Sequence, residues 1–244
     1  MSMPDKTLGS RMAFFLTLGY PDWEMFYGVL DSLEAHGVGF VELGVPVSDP
    51  IDDGETIRQA DGQVLPDMTG DRIVEALETI RSRYSFRTIL MTYQEGVEEF
   101  ELARYERWLY DSLLCVDKEY SLGVFPNQVH LFSEETSGDE IRRTVGLSSP
   151  FAYVVTGLGK TGGEGPLPDK YRQTIARIRE VSSIPAFVGF GIRSAADVRE
   201  VLSNGADGAI IGSELIRQIN DDGVAAVDGY LDSLGLGAAF GDPS

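Results

Sequence analysis

A single (β/α)8 barrel is the fold this sequence predicts, on three observations. Short, nearly continuous apolar runs recur eight times along the chain, as parallel strands covered on both faces do. Amphipathic helical segments lie between most of them. No Gly-rich linker, composition shift or internal repeat divides the 244 residues, and a hydrophobic content of 43% supplies one sizeable core. The expectation is one domain over residues 1–244, with a Gly- and Ala-rich tail at 235–244 that frays.

The predicted strands, in order, are Ala13–Thr17, Phe40–Leu43, Thr88–Met91, Leu113–Val116, Val129–Phe132, Ala152–Val155, Ala186–Gly189 and Ala209–Ile211. After the first, Trp23, Phe26, Tyr27, Leu30 and Leu33 share one helical face. His36 and Gly37 then end that helix. Ile73, Val74, Leu77 and Ile80 form the face of a second helix, and Tyr171, Ile175, Ile178 and Val181 that of a later one. Ser194 and Asp197 read as a capping box. Between Val116 and Val129 only about a dozen residues remain, with Gly123 and Pro126 among them, the lower limit for a parallel crossover. The barrel is therefore expected to be irregular around its fourth β/α unit, with the helix there reduced to a turn.

A net charge of -19 argues against nucleic acid and anionic membrane surfaces as partners. It does not argue against a small anion, which backbone N–H groups at a helix start can hold. The one cysteine, Cys115, lies in an apolar run and reads as a structural thiol. No apolar leader or membrane-length run stands out, so the expected compartment is the cytoplasm. Of the two histidines, His130 falls in a strand run and reads as a satisfied core residue.

Chemistry concentrates in Val41–Gly54. Glu42 sits in an apolar strand, where a carboxylate is costly unless paired, hydrogen-bonded or used. Pro46, Pro50 and Gly54 stiffen the loop beyond it, which carries Asp49, Asp52 and Asp53. Two carboxyl groups facing one cavity are the raw material of acid–base chemistry. The bland alternatives are a buried base paired with Glu42 and an Asx-turn role for Asp53. In barrels the site lies at the C-terminal strand ends. Those ends also offer Phe15, Tyr93, Tyr153, a Gly-rich loop at 157–165 suited to a lid, and two strand-to-helix turns: Gly189-Phe190-Gly191 and Gly212-Ser213. Paired glycine turns after the last two strands suit phosphate.

Taken together, the motifs resemble the tryptophan synthase alpha subunit family. The long run E-L-G-V-P-V-S-D-P-I-D-D-G carries most of the resemblance. T-L-G-Y-P at 17–21, L-M-T-Y at 90–93, Y-V-V-T-G-L-G-K-T-G at 153–162, G-F-G-I at 189–192 and G-S at 212–213 follow in the family's order. The resemblance implies a cofactor-free retro-aldol lyase that cleaves indole-3-glycerol phosphate to indole and glyceraldehyde 3-phosphate. It implies Glu42 as the general acid–base and Asp53 as the acceptor for the indole N–H. It further implies Phe15, Tyr93, Tyr153, Thr161 and Phe190 as substrate contacts, and Gly162, Gly189, Gly191, Gly212 and Ser213 around the phosphate. A beta subunit is the implied partner. The chain departs from the family at Asp52, at Gln94–Gly96 and in 117–136, where contact loops and the indole end of the pocket fall. Two alternatives stay open at this point: another phosphate-substrate barrel enzyme, and a non-catalytic alpha-like subunit that regulates a partner. A Schiff-base aldolase is disfavoured because Lys118 and Lys160 lie in loops.

Overall fold

The computed structural model describes residues 7–51, 53–156 and 169–237. Its strands are β1 (Met12–Thr17), β2 (Phe40–Gly44), β3 (Arg87–Thr92), β4 (Ser112–Cys115), β5 (Leu131–Phe132), β6 (Ala152–Val155), β7 (Ala186–Gly189) and β8 (Gly208–Ile211). The helices are α1 (Trp23–Ala35), α2 (Glu55–Val64), α3 (Gly70–Arg83), α4 (Gln94–Glu99), α5 (Gly138–Thr144), α6 (Tyr171–Arg179), α7 (Ala195–Ser203) and α8 (Ser213–Ser233). One eight-stranded sheet runs in the order β4-β3-β2-β1-β8-β7-β6-β5, and the laddered pairs are parallel. The ring closes between β4 and β5 through a single parallel bridge, Leu113 to Gln128. At that point the Leu113 N–H donates to the Asn127 carbonyl at 3.0 Å and the Val129 N–H donates to the Leu113 carbonyl at 2.9 Å.

Successive side chains of each strand point into and out of the ring. Outward residues such as Phe14, Leu16, Val41 and Leu43 pack under α1, α2 and α3 in the larger core. Inward residues form a second cluster of Ala13, Ile89, Leu114, Val129, Phe151, Tyr153, Phe187 and Ile210. The lower part of this interior is closed by aromatic rings. Phe151 stacks on Phe187 at 4.3 Å, and Phe40 meets both edge-on at 5.3 and 5.2 Å. A packed floor leaves the upper strand ends as the place for a ligand.

Three strand glycines make the interior layering possible. A Cβ on Gly44 would stand 2.5 Å from the Phe15 ring, one on Gly189 2.4 Å from the Tyr153 hydroxyl, and one on Gly208 2.4 Å from the Phe187 ring. Each glycine thus vacates the space that an aromatic side chain from a neighbouring strand fills.

Each expected strand is present, though β5 is shorter than its apolar run. No helix lies between β4 and β5, in accord with the short connection. The Ser194 capping box forms, with Asp197 as its third residue. His36 caps α1, its Nδ1 2.7 Å from the Ser32 carbonyl. Two expectations need correction. Val181 lies beyond α6 and is 43% exposed, because the helix stops at Arg179. The tail does not fray from Gly235: that residue turns the chain at φ 85°, and the Leu236 N–H bonds the Leu231 carbonyl at 3.1 Å. Leu236 is buried, so apolar contact holds the end of α8 through this turn. Residues 238–244 lie outside the described residues.

Candidate active site

Glu42 is in the middle of β2, paired in register with Phe15 of β1 and Ile89 of β3, and is 1% exposed. Its Oε1 has no hydrogen-bond partner. The buried-base alternative is therefore not realised among the described residues. Burial alone pushes its carboxyl up to about 8, so the group carries its proton at neutral pH.

Asp53 reaches the same region from the loop between β2 and α2. Its N–H bonds the Pro50 carbonyl at 3.2 Å, and its own carbonyl accepts from Arg58 Nε at 3.0 Å. These bonds fix the backbone, and Gly54 caps the following helix. The side chain is buried, with Oδ2 accepting from the Tyr93 hydroxyl at 3.1 Å. Tyr93 itself caps α4 at the end of β3.

Tyr153 links the two acids. It is buried on β6, and burial first, then the charges of Glu42 and Asp53, pushes its phenol well above the ordinary value. Both carboxyl groups therefore lie close enough to one side chain to raise it. Phe190 meets Tyr153 edge-on at 5.9 Å. Phe190 takes φ 72° and Gly191 φ 84°, and the Thr156 hydroxyl donates to the Phe190 carbonyl at 2.8 Å. A phenylalanine in the left-handed region is strained, and such strain gathers at functional sites.

The two glycine turns differ in what they leave open. At α7, Asp197 Oδ2 accepts the N–H groups of Arg193 and Ser194. That carboxylate fills the helix start and repels an anion. Gly212, at the start of α8, has no side-chain cap, and Ser213 opens the helix. The Leu215 N–H there bonds the Gly212 carbonyl at 3.0 Å, and Glu214 lies in the first turn. Thr161 and Gly162 lie outside the described residues, as does Asp52.

One acid escaped the sequence reading. Asp61 of α2 is 5% exposed, and its Oδ1 accepts from the Thr17 hydroxyl at 3.1 Å. Burial pushes it up to about 7; the Thr17 bond and the Val47 amide oppose this, and the Asp53 charge adds to it. The signal was there, a carboxylate on the apolar face of a helix, but α2 itself was not anticipated. The remaining candidates for other chemistry recede. Burial, with Asp117 beside it, pushes the Cys115 thiol up to about 12, which makes it a poor nucleophile. Lys118 sits 3.7 Å from Glu98. His130 contacts the Ser148 hydroxyl at 3.1 Å.

Fold and site together define a (β/α)8-barrel protein with two buried acids, Glu42 and Asp53, towards the C-terminal ends of its strands and a helix start without a side-chain cap after β8. Residues 6–230 match the family model described as "Tryptophan synthase alpha chain". The tryptophan synthase alpha chain of Archaeoglobus fulgidus is 31% identical over 228 residues, covering 88% of this chain and 91% of that one. The chain of Christiangramia forsetii is 30% identical over 241 residues, covering 90% and 92%. Among solved structures, a tryptophan synthase complex from Pyrococcus furiosus superposes with a TM-score of 0.79 at 24% identity, covering 92% of this chain and 97% of that one. The aminoacrylate-bound tryptophan synthase from M. tuberculosis gives 0.79 at 25% identity, covering 94% of each. This chain belongs to the tryptophan synthase alpha chain family, lyases that cleave indole-3-glycerol phosphate to indole and glyceraldehyde 3-phosphate.

Proposed function

We propose that Glu42 and Asp53 carry this cleavage in the present chain. Glu42, protonated at neutral pH by burial, gives its proton to indole C3. The bond from C3 to the glycerol chain then breaks. The Glu42 carboxylate takes the proton from the hydroxyl on the departing carbon as that carbon becomes an aldehyde. The positive charge formed on the ring spreads to N1, where Asp53, steadied by Tyr93, accepts the N–H and offsets the charge. Phe15, Tyr153 and Phe190 line the ring. Gly191, Gly212 and Ser213 hold the phosphate, and Gly189 acts by admitting Tyr153. Thr161 and Gly162 belong to the proposed lid, which would expel water.

One observation carries this reading: a buried glutamate whose Oε1 has no hydrogen-bond partner stands on β2, and the loop leaving that strand returns a second buried acid, Asp53, held by Tyr93. A purely binding subunit gains nothing from a desolvated acid. The proposed partner is a beta subunit, supported by the complexes among the structural relatives and by Ile51, 62% exposed on the loop that carries Asp53. The proposed compartment is the cytoplasm; no helix among the described residues is long and apolar enough to cross a membrane. The test is indole release from indole-3-glycerol phosphate by purified protein, alone and with a beta subunit. Release that is lost in Glu42→Gln supports the assignment. Undiminished release by Glu42→Gln, or none from the native chain under either condition, overturns it.

A further inference from the structure

We propose that Glu95 and Asp117 are positioning residues for the cleavage: by anchoring α4 between the loops after β2 and β4, they hold Tyr93 and the Asp53 loop in working position from within this chain. The proposal rests on the lyase reading for what Asp53 does, but not for how its loop is held.

α4 is a helix that its own sequence barely supports. It is six residues long, with glycine at its third position, and its start has no side-chain cap from Tyr93. Neighbours supply what it lacks. Asp117, just beyond β4, accepts the Gln94 N–H at 2.7 Å, so a carboxylate from another loop closes the start of the helix. Lys118 stands 3.7 Å from Glu98 near the other end. Within the helix, Gln94 Nε2 donates to Glu98 Oε1 at 2.6 Å, and Val97 is buried. Residues 94–96 and Asp117 are places where the sequence leaves the family pattern, and the anchored helix gives each of them a use.

Two contacts carry the placement of α4 to the site. The first runs through Tyr93, whose carbonyl accepts the Val97 N–H at 3.1 Å and whose hydroxyl donates to Asp53. The first turn of α4 thus fixes the backbone from which that hydroxyl projects. The second runs through Glu95, whose Oε1 accepts the Ser48 N–H at 3.0 Å. Ser48 and Asp53 belong to the same loop, between β2 and α2. Gly96 allows the close approach: a Cβ there would strike the Thr92 hydroxyl and lie 3.1 Å from Val47 Cγ1. The Thr92 hydroxyl in turn donates to the Val45 carbonyl at 3.1 Å, at the root of that loop. Asp53 is therefore held twice through α4, at its side chain by Tyr93 and along its loop by Ser48. A loop ordered before substrate arrives leaves less to be ordered on binding.

The test pairs each removal with a variant that keeps the acceptor. Glu95→Ala and Asp117→Ala are each expected to lower kcat/KM for indole formation by the lone chain about tenfold. Glu95→Gln and Asp117→Asn, which retain an oxygen for the same N–H, are expected to stay within about threefold of the native chain. Hydrogen exchange read by NMR separates positioning from a general loss of stability. The Ser48 amide in Glu95→Ala and the Gln94 amide in Asp117→Ala are expected to exchange about tenfold faster, while the amides of β1 and β2 keep their native rates. Native exchange at both amides overturns the anchor. Faster exchange with unchanged kcat/KM overturns the positioning role, as does a loss of activity that Gln and Asn do not recover. A native chain that releases no indole removes the lyase reading, and the exchange rates alone then decide whether α4 holds the loop. Native turnover with unaltered exchange in the variants removes the anchor and leaves the lyase reading standing.

Discussion

The Tyr93 hydroxyl donates a 3.1 Å hydrogen bond to Asp53 Oδ2, and both side chains are buried. The bond helps to aim the Asp53 carboxyl group. A bond to a charged acceptor contributes about 1.5–3 kcal/mol. Tyr93→Phe is therefore expected to lower kcat/KM for indole formation about tenfold to a hundredfold and the melting temperature by roughly 3–10 °C. An unchanged kcat/KM would mean that Asp53 needs no help from Tyr93.

Glu42 ties activity to stability through one proton. Its ordinary carboxyl value is 4.5 and burial raises it to about 8. Between these values the unfolded chain releases the proton and the folded chain keeps it. Folding stability from this group is therefore full below pH 4.5, falls as pH rises to about 8, and is level above. Each pH unit in that window removes about 1.4 kcal/mol. Glu42→Gln is expected to flatten this part of the profile and to be more stable than the native chain at pH 8, by chemical denaturation. The rate of indole formation should decline above about pH 8, where the acid form is lost. A native chain whose stability matches Glu42→Gln at every pH would show that Glu42 is solvated.

Ser213 opens a helix with no side-chain cap, so an added carboxylate there should compete with phosphate. Ser213→Asp is expected to raise KM for indole-3-glycerol phosphate about tenfold or more while indole binding is retained. Equal KM values would move the phosphate away from α8.

Gly189 and Gly62 form a controlled pair. A Cβ on Gly189 would lie 2.4 Å from the Tyr153 hydroxyl, whereas one on Gly62 in α2 meets nothing within 4 Å. Gly189→Ala is expected to cost about 1–3 kcal/mol and to reduce kcat by moving Tyr153. Gly62→Ala is expected to add about 0.5–1 kcal/mol through helix propensity alone. Denaturation midpoints and indole-forming rates separate the two.

What the sequence revealed, and what it hid, follows from the range of the interactions. The strands were legible because parallel strands buried on both faces are apolar throughout. The missing fourth helix was legible from chain length alone. Glu42 stood out as one acid in an apolar run. α2 did not, because E-T-I-R-Q-A-D-G-Q-V is polar and carries Asp61 and Gly62, both weak helix formers. It is helical because Ile57, Ala60 and Val64 find cover in the core. Gly189 was read for its backbone, while its clearest use, room for a ring from β6, depends on a neighbour remote in sequence.

Asp61 is the least legible part of the site, since Thr17, its partner, lies 44 residues away. Burial raises it from 3.8 to about 7, with Asp53 adding to the effect. Two buried carboxyl groups so close resist double ionisation, and the Asp53 charge is one reason why Asp61 holds its proton towards neutrality. Asp61→Asn keeps an acceptor for Thr17 and removes the second charge. It is expected to match the native chain near pH 4 and to exceed it in stability at pH 8, because the native contribution is lost as pH rises from 3.8 to about 7. Asp61→Ala instead leaves the Thr17 hydroxyl unpaired and should lose about 1–3 kcal/mol at acid pH, where Asn does not. If Asn and Ala behave alike by denaturation across this range, the Thr17 bond contributes nothing. If Asn is no more stable than Asp at pH 8, the fold does not hold the Asp61 carboxyl above its ordinary value.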